Sequence, residues 1–155
     1  MVTNTGDDPE VYRRGRWHAL ENAVMSAVTR AGVVPRTYLL TTTGRKSWRR
    51  RSNPVTIVTH NGRRWLVAPY GVVPWVLNAR AAGTVTLSRR GTSRQFTIRE
   101  VPAPEAGEVL KRYVAIAGVT EKYFAANKSS PVEAFAAEAD AHPVFELRPV
   151  DTRAA

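Results

Sequence analysis

The chain has 155 residues, 43% hydrophobic and 23% charged, a composition ordinary for a globular protein of one domain. No cysteine is present, which excludes a disulfide framework, thiol catalysis and thiolate metal sites. The three histidines, His18, His60 and His142, are too far apart to show ligand spacing, so no metal site is expected. No run approaches the roughly 20 apolar residues of a spanning helix, and the polar, acidic residues 1–10 lack the chemistry of a secretory signal. A cytoplasmic protein is the expectation. The outlying quantity is charge: 23 Lys and Arg against 13 Asp and Glu, a formal +10. Such an excess attracts nucleic acid, a membrane surface or a polyanionic small molecule. Five of the cations, Arg45, Lys46, Arg49, Arg50 and Arg51, crowd one short segment, which has the look of a site.

Residues 1–10 read as a flexible N-terminus, 11–149 as one domain and 150–155 as a tail. Over residues 11–31, Trp17, Leu20, Val24 and Val28 recur at helical spacing, and Gly32 and Pro35 end the helix. Residues 36–43 are rich in β-formers and predict a strand. Gly44 breaks it, and the cationic loop follows. From Pro54 to Pro69 the pattern is a hairpin whose turn is Asn61-Gly62, the pair suited to two positive φ values. Pro74 begins a short helix carrying Trp75, Leu77 and Asn78, with Gly83 as its stop. A second hairpin turns around Arg90-Gly91. Pro102 and Pro104 introduce a helix with Val109, Leu110, Tyr113 and Val114 on its apolar face. After a further helical turn over 132–138, Val144-Phe145-Glu146-Leu147 forms a closing strand. Antiparallel hairpins with interspersed helices predict an α+β barrel and not a doubly wound sheet, because βαβ alternation is missing.

Strand, glycine, then Arg45-Lys46-Ser47 is a sensible phosphate site: the glycine permits a sharp turn, the cations donate charged hydrogen bonds, and the serine adds a hydroxyl. It is not a P-loop, and no GxGxxG occurs. Physical reasoning alone leaves a solvated basic loop equally open, since five cations cannot converge on one phosphate.

The residue order adds to this. Thr41-Thr42-Thr43-Gly44-Arg45-Lys46-Ser47, then Arg51 and Pro54, resembles the TTTGRKSGxxRxxP signature of the deazaflavin-dependent nitroreductases, actinobacterial split β-barrel oxidoreductases that use coenzyme F420. Pro69-Tyr70-Gly71 and the segment Trp75-Val76-Leu77-Asn78 look like the WxxN region of that family, and His142-Pro143-Val144-Phe145-Glu146-Leu147 is similar to its closing strand. The resemblance covers roughly residues 37–147. One position departs: the family has glycine after the GRKS serine, and here Trp48 stands, an indole expected to narrow the loop or to pack over the cofactor tail.

The resemblance implies a split barrel with an N-terminal helix and flanking helices, binding a cofactor with a flat ring, a phosphodiester and an oligoglutamate tail. It assigns Arg45, Lys46 and Arg51 to phosphate and tail, with Ser47 as supporting donor, and the backbone of Pro54, Val55 and Thr56 to the ring. It implies hydride transfer from the reduced deazaflavin to a small hydrophobic acceptor: an enone, a quinone or a nitroaromatic. Tyr123 is the candidate proton donor or oxyanion partner, against its reading as a core tyrosine with an edge hydroxyl. Trp75 is a core anchor or a cofactor wall, Asn78 a buried hydrogen-bonding residue near the cofactor, and Tyr70 a border of the ring pocket or an exposed loop aromatic. The histidines read as structural. The alternatives are an FMN-binding split barrel, a nucleic-acid-binding barrel in which Trp48 stacks on a base, and a lipid or cofactor carrier at an anionic membrane. No nucleic-acid partner is expected, peripheral membrane contact stays open, and the protein is a monomer or a homodimer.

Overall fold

The computed structural model describes residues 36–150; the helix expected over residues 11–31 lies outside them. Strand β1 (Thr37–Thr43) is followed by β2 (Arg50–His60), β3 (Arg63–Val67), helix α1 (Pro74–Ala82), β4 (Thr84–Arg89), β5 (Thr92–Glu100), helix α2 (Ala103–Ile116) and a 3-10 helix (Gly118–Tyr123). The short helix α3 (Val132–Ala136), a second 3-10 turn (Ala139–Ala141) and β6 (Val144–Pro149) complete the order. The strands close an antiparallel barrel in the order β1-β2-β3-β6-β5-β4, with β4 returning to β1. This is the α+β split barrel the sequence predicts.

Local chemistry explains the turns. Asn61 and Gly62 take φ of 54° and 68°, and Arg90 and Gly91 take 52° and 78°. Two successive left-handed residues match the right-handed twist of the flanking strands. Helix α1 begins on Pro74 and ends at Gly83, whose N–H donates to the Ala79 carbonyl at 2.7 Å. Strand β2 departs from expectation. It starts at Arg50, four residues before Pro54, because the register pairs Arg50 with Thr43, Arg51 with Thr42 and Asn53 with Leu40. Arginine, serine and asparagine are poor strand formers, and pairing with β1 overrides that preference.

Period-two alternation divides the apolar residues between two cores. Leu40, Ile57, Leu66, Leu87, Phe96 and Phe145 fill the barrel, and Trp75, Val76 and Ala79 of α1 join them. The alternate residues Val58, Trp65, Val67 and Val144 belong to a second core with α2 and α3, including Val109, Leu110, Val114 and Phe135. Each fully buried side chain of this size contributes roughly 1.5–3 kcal/mol. Glu146, buried between β3 and β5, is held by Arg99, by Arg148 at 3.0 Å and by Arg63 at 3.6 Å. The Arg99 hydrogen bond, ahead of Arg148, holds its carboxyl below the usual carboxylate range.

Helices α2 and α3 meet at Gly107. A Cβ there would lie 2.9 Å from both the Ala136 Cβ and the Val132 carbonyl oxygen. Gly107→Ala is expected to lower stability by about 1–2 kcal/mol, the overpacking cost exceeding the gain in helix propensity. The urea unfolding midpoint checks this. Among the described residues no helix is long and apolar enough to cross a membrane.

Candidate functional site

The cationic loop joins β1 to β2 and folds on itself. The Gly44 N–H donates to the Arg49 carbonyl at 2.7 Å, and the Trp48 N–H donates to the Gly44 carbonyl at 2.9 Å. Ser47 turns inward, its Oγ accepting the Arg49 N–H at 3.3 Å. A Cβ on Gly44 would sit 2.5 Å from that oxygen and 3.2 Å from the Arg49 carbonyl oxygen, so a larger residue here would push Ser47 aside. Trp48 takes φ of 59°. A left-handed residue explains why glycine suits this position, and a side chain here costs about 1–2 kcal/mol. The indole is 80% exposed. It stands in solvent and leaves the interior of the loop to Ser47.

Asn78 ties the loop to α1. Buried at 3% exposure, its Oδ1 accepts both the Arg45 backbone N–H and the Arg45 Nη1–H at 3.1 Å, while Nδ2 donates to Thr42 Oγ1 at 3.5 Å. Thr42 lies opposite Arg51, and directly opposed residues of an antiparallel pair share a face. Arg45, Asn78, Thr42 and Arg51 therefore converge at one rim of the barrel. Arg50 lies opposite Thr43 and shares the other face. All five cations are exposed, and Arg45 and Arg51 are the two that this arrangement sets on the rim.

Beside this rim the sheet is open. Strand β3 pairs with β2 only over Ile57, Val58, Thr59 and His60, so among the described residues 50–56 are paired on the β1 side alone. The Ile57 N–H donates to the Arg36 carbonyl, which sends odd-numbered backbone groups toward β1. By alternation the groups of Ser52, Pro54 and Thr56 turn to the open side. Proline is tolerated there because no ladder partner needs its missing N–H.

Tyr70, 40% exposed in the loop after β3, packs edge-to-face on Tyr123 with ring centroids 4.9 Å apart. Tyr123 is half-buried at the end of the first 3-10 helix. Tyr113 is different: it is buried in α2, hydrogen-bonded to Thr120, and burial pushes its phenol far above the ordinary value. Behind the tyrosine pair stands His142. Its Nδ1 lies 2.8 Å from the Pro69 carbonyl, its Nε2 3.0 Å from Glu138 Oε1, and its ring stacks on Phe124 at 3.9 Å. Burial lowers its basicity, against the opposing pull of Glu138 and the Pro69 carbonyl.

The sequence-predicted residues thus form two groups. Arg45 and Asn78 are hydrogen-bonded at the rim and Arg51 lies on the same face opposite Thr42, with Ser47 and Lys46 both exposed on the adjoining loop and Pro54, Val55 and Thr56 on the neighbouring strand. Tyr70 and Tyr123 meet each other. Trp75 lies in the barrel core, 7% exposed, its ring 6.1 Å from Phe145. Sequence reasoning missed Thr42, Glu138 and the His142 contacts. The spacing of Glu138 and His142, four residues apart, was the available signal. Among the described residues no group of His, Asp and Glu is placed to hold a metal.

Comparison with known proteins identifies the family. The family model described as F420H(2)-dependent quinone reductase matches residues 12–132. No curated protein matches the chain. A solved structure described as an F420-H2 dependent reductase (FDR-A) is 27% identical, with 74% of this chain and 95% of the other covered and a TM-score of 0.51. A domain-swapped dimer at 24% identity, covering 85% and 96% with a TM-score of 0.54, shares the fold. So does a protein of unknown function from Agrobacterium tumefaciens, at 17% identity, 91% and 58% coverage and a TM-score of 0.50. The family match selects the deazaflavin over FMN. The chain belongs to the F420H(2)-dependent quinone reductase family and is an oxidoreductase that uses coenzyme F420.

Proposed function

We propose that the protein reduces small hydrophobic two-electron acceptors, enones, quinones or nitroaromatics, at the opening between the cationic rim and the Tyr70–Tyr123 pair. The observation that carries this reading is the convergence of Arg45, Asn78, Thr42 and Arg51 beside the one-sided stretch of β2. The donor set fits the cofactor. Exposed cations suit a phosphodiester and an acidic tail, and open strand backbone suits the polar edge of a flat ring. Arg45, Lys46 and Arg51 hold the anionic part, with Ser47 as supporting donor, and the backbone of Pro54 and Thr56, turned to the open side, meets the ring, while the Val55 backbone groups turn to β1. Bound in its reduced form, the deazaflavin supplies a hydride. The acceptor then takes one proton from solvent or from the Tyr123 hydroxyl, which would also steady charge developing on an acceptor oxygen.

Equilibrium titration with oxidised coenzyme F420, followed by its fluorescence, tests the rim. Arg51→Ala is expected to weaken binding by about 10- to 150-fold, the loss of one charged hydrogen bond of roughly 1.5–3 kcal/mol. An unchanged affinity removes Arg51 from the site. Turnover with a panel of enones, quinones and nitroaromatics then ranks the acceptors. We further propose that residues 11–149 form one domain and that the protein works in the cytoplasm. Sedimentation distinguishes the monomer from the homodimer, and vesicle flotation tests for peripheral contact with anionic membrane.

A further inference from the structure

His142 is a buried titratable group that the reaction itself does not use, yet its contacts all lead to the acceptor side. It lies immediately before Pro143, and its ring nitrogens face two different segments. Nδ1 meets the carbonyl of Pro69, the residue before Tyr70, at 2.8 Å. Nε2 meets Glu138 Oε1 at 3.0 Å. That carboxylate accepts the backbone N–H of Ala125 at 3.0 Å and of Ala126 at 2.8 Å, in the chain that leaves Tyr123. The imidazole face stacks on Phe124, the residue after Tyr123, with 23° between the planes. One side chain therefore connects the segment carrying Tyr70 to the segment carrying Tyr123.

The chemistry of the contacts makes the link directional. A carbonyl oxygen only accepts, so Nδ1 carries a proton and donates to Pro69. A lone pair on Nε2 facing a carboxylate lone pair at 3.0 Å would repel, so a second proton lies between Nε2 and Oε1, whichever group owns it. Two backbone N–H groups on Glu138 fix the carboxylate, and the proton fixes the imidazole to it.

We propose that His142 is a positioning residue for the acceptor side of the site, holding Tyr70 and Tyr123 in edge-to-face contact by bridging the Pro69 carbonyl to Glu138. The functional consequence rests on the reading that these tyrosines border the acceptor pocket; the effect on their geometry does not. His142→Phe keeps a ring to stack on Phe124 and removes both hydrogen bonds.

The test uses the full chain with ring-labelled tyrosine, in which the proton–proton NOE between Tyr70 and Tyr123 is assigned by Tyr70→Phe and Tyr123→Phe. In His142→Phe the NOE is expected to vanish, while the affinity for oxidised coenzyme F420 stays within about two-fold and KM for a soluble naphthoquinone rises about ten-fold. A retained NOE overturns the proposal. Should His142→Phe fail to fold, Glu138→Ala is expected to lose the NOE. Retention in Glu138→Ala overturns the proposal equally. A wild-type protein that shows the NOE but reduces no acceptor refutes the acceptor-pocket reading and leaves the bridging role of His142 standing. Turnover with a His142→Phe protein whose NOE and KM are unchanged refutes the bridging role alone.

Discussion

Asn78→Ala is expected to lower stability by about 1–3 kcal/mol and to weaken coenzyme F420 binding by about 10- to 150-fold. The stability loss arises because Oδ1 accepts two donors from Arg45 and Nδ2 reaches Thr42 from a position only 3% exposed. Removing the amide leaves three polar groups to find water at the rim. The binding loss follows from the proposed role of Arg45, whose guanidinium and backbone are both held by that one oxygen. Asn78→Asp separates the two effects. Its carboxylate still accepts from Arg45, so more of the stability is retained. It also neutralises the cation the cofactor needs, so affinity still falls. Denaturant midpoints read with cofactor titrations check both variants, and an Asn78→Ala protein that binds normally would detach the loop's geometry from the cofactor.

Phe145→Ala is expected to cost about 3–5 kcal/mol, the range for emptying a buried aromatic site. Phe145 is 1% exposed, projects into the barrel opposite Leu66, and packs near Trp75. Strand β6 joins β3 to β5, so a void at this position loosens the seam that closes the barrel. At about 2–4 °C per kcal/mol for a chain of this size, the melting temperature should fall by roughly 6–20 °C. Calorimetry measures it. Phe145→Leu, which keeps most of the volume, should recover much of the loss.

Much of this fold was legible because its signals are local. Asn61-Gly62 and Arg90-Gly91 occupy left-handed turns, Pro74 and Gly83 bound α1, and the β-formers of residues 37–43 lie in a strand. Residues 50–53 were not legible as strand, since no propensity within Arg50, Arg51, Ser52 and Asn53 points to their pairing with residues 40–43 across the cationic loop. The motif order singled out the cationic loop between β1 and β2. It did not reveal that Asn78 reaches the loop across 33 residues, nor that Thr42 alone of the three threonines is both buried and bound to Asn78. His142 read as a structural histidine before a proline, because its meaning depends on a carbonyl 73 residues away.

The one-sided stretch of β2 has a further consequence. Among the described residues this stretch leaves backbone donors and acceptors open on one side, and such an edge is a template for any other extended chain. Here the template carries Arg50 and Arg51 at its start and Pro54 at its middle, turned toward the unpaired side. Like charge repels a second copy, and proline interrupts the ladder it would form. The residues proposed to receive an anionic ligand at this opening would thus also disfavour self-association of the backbone along the same strand edge.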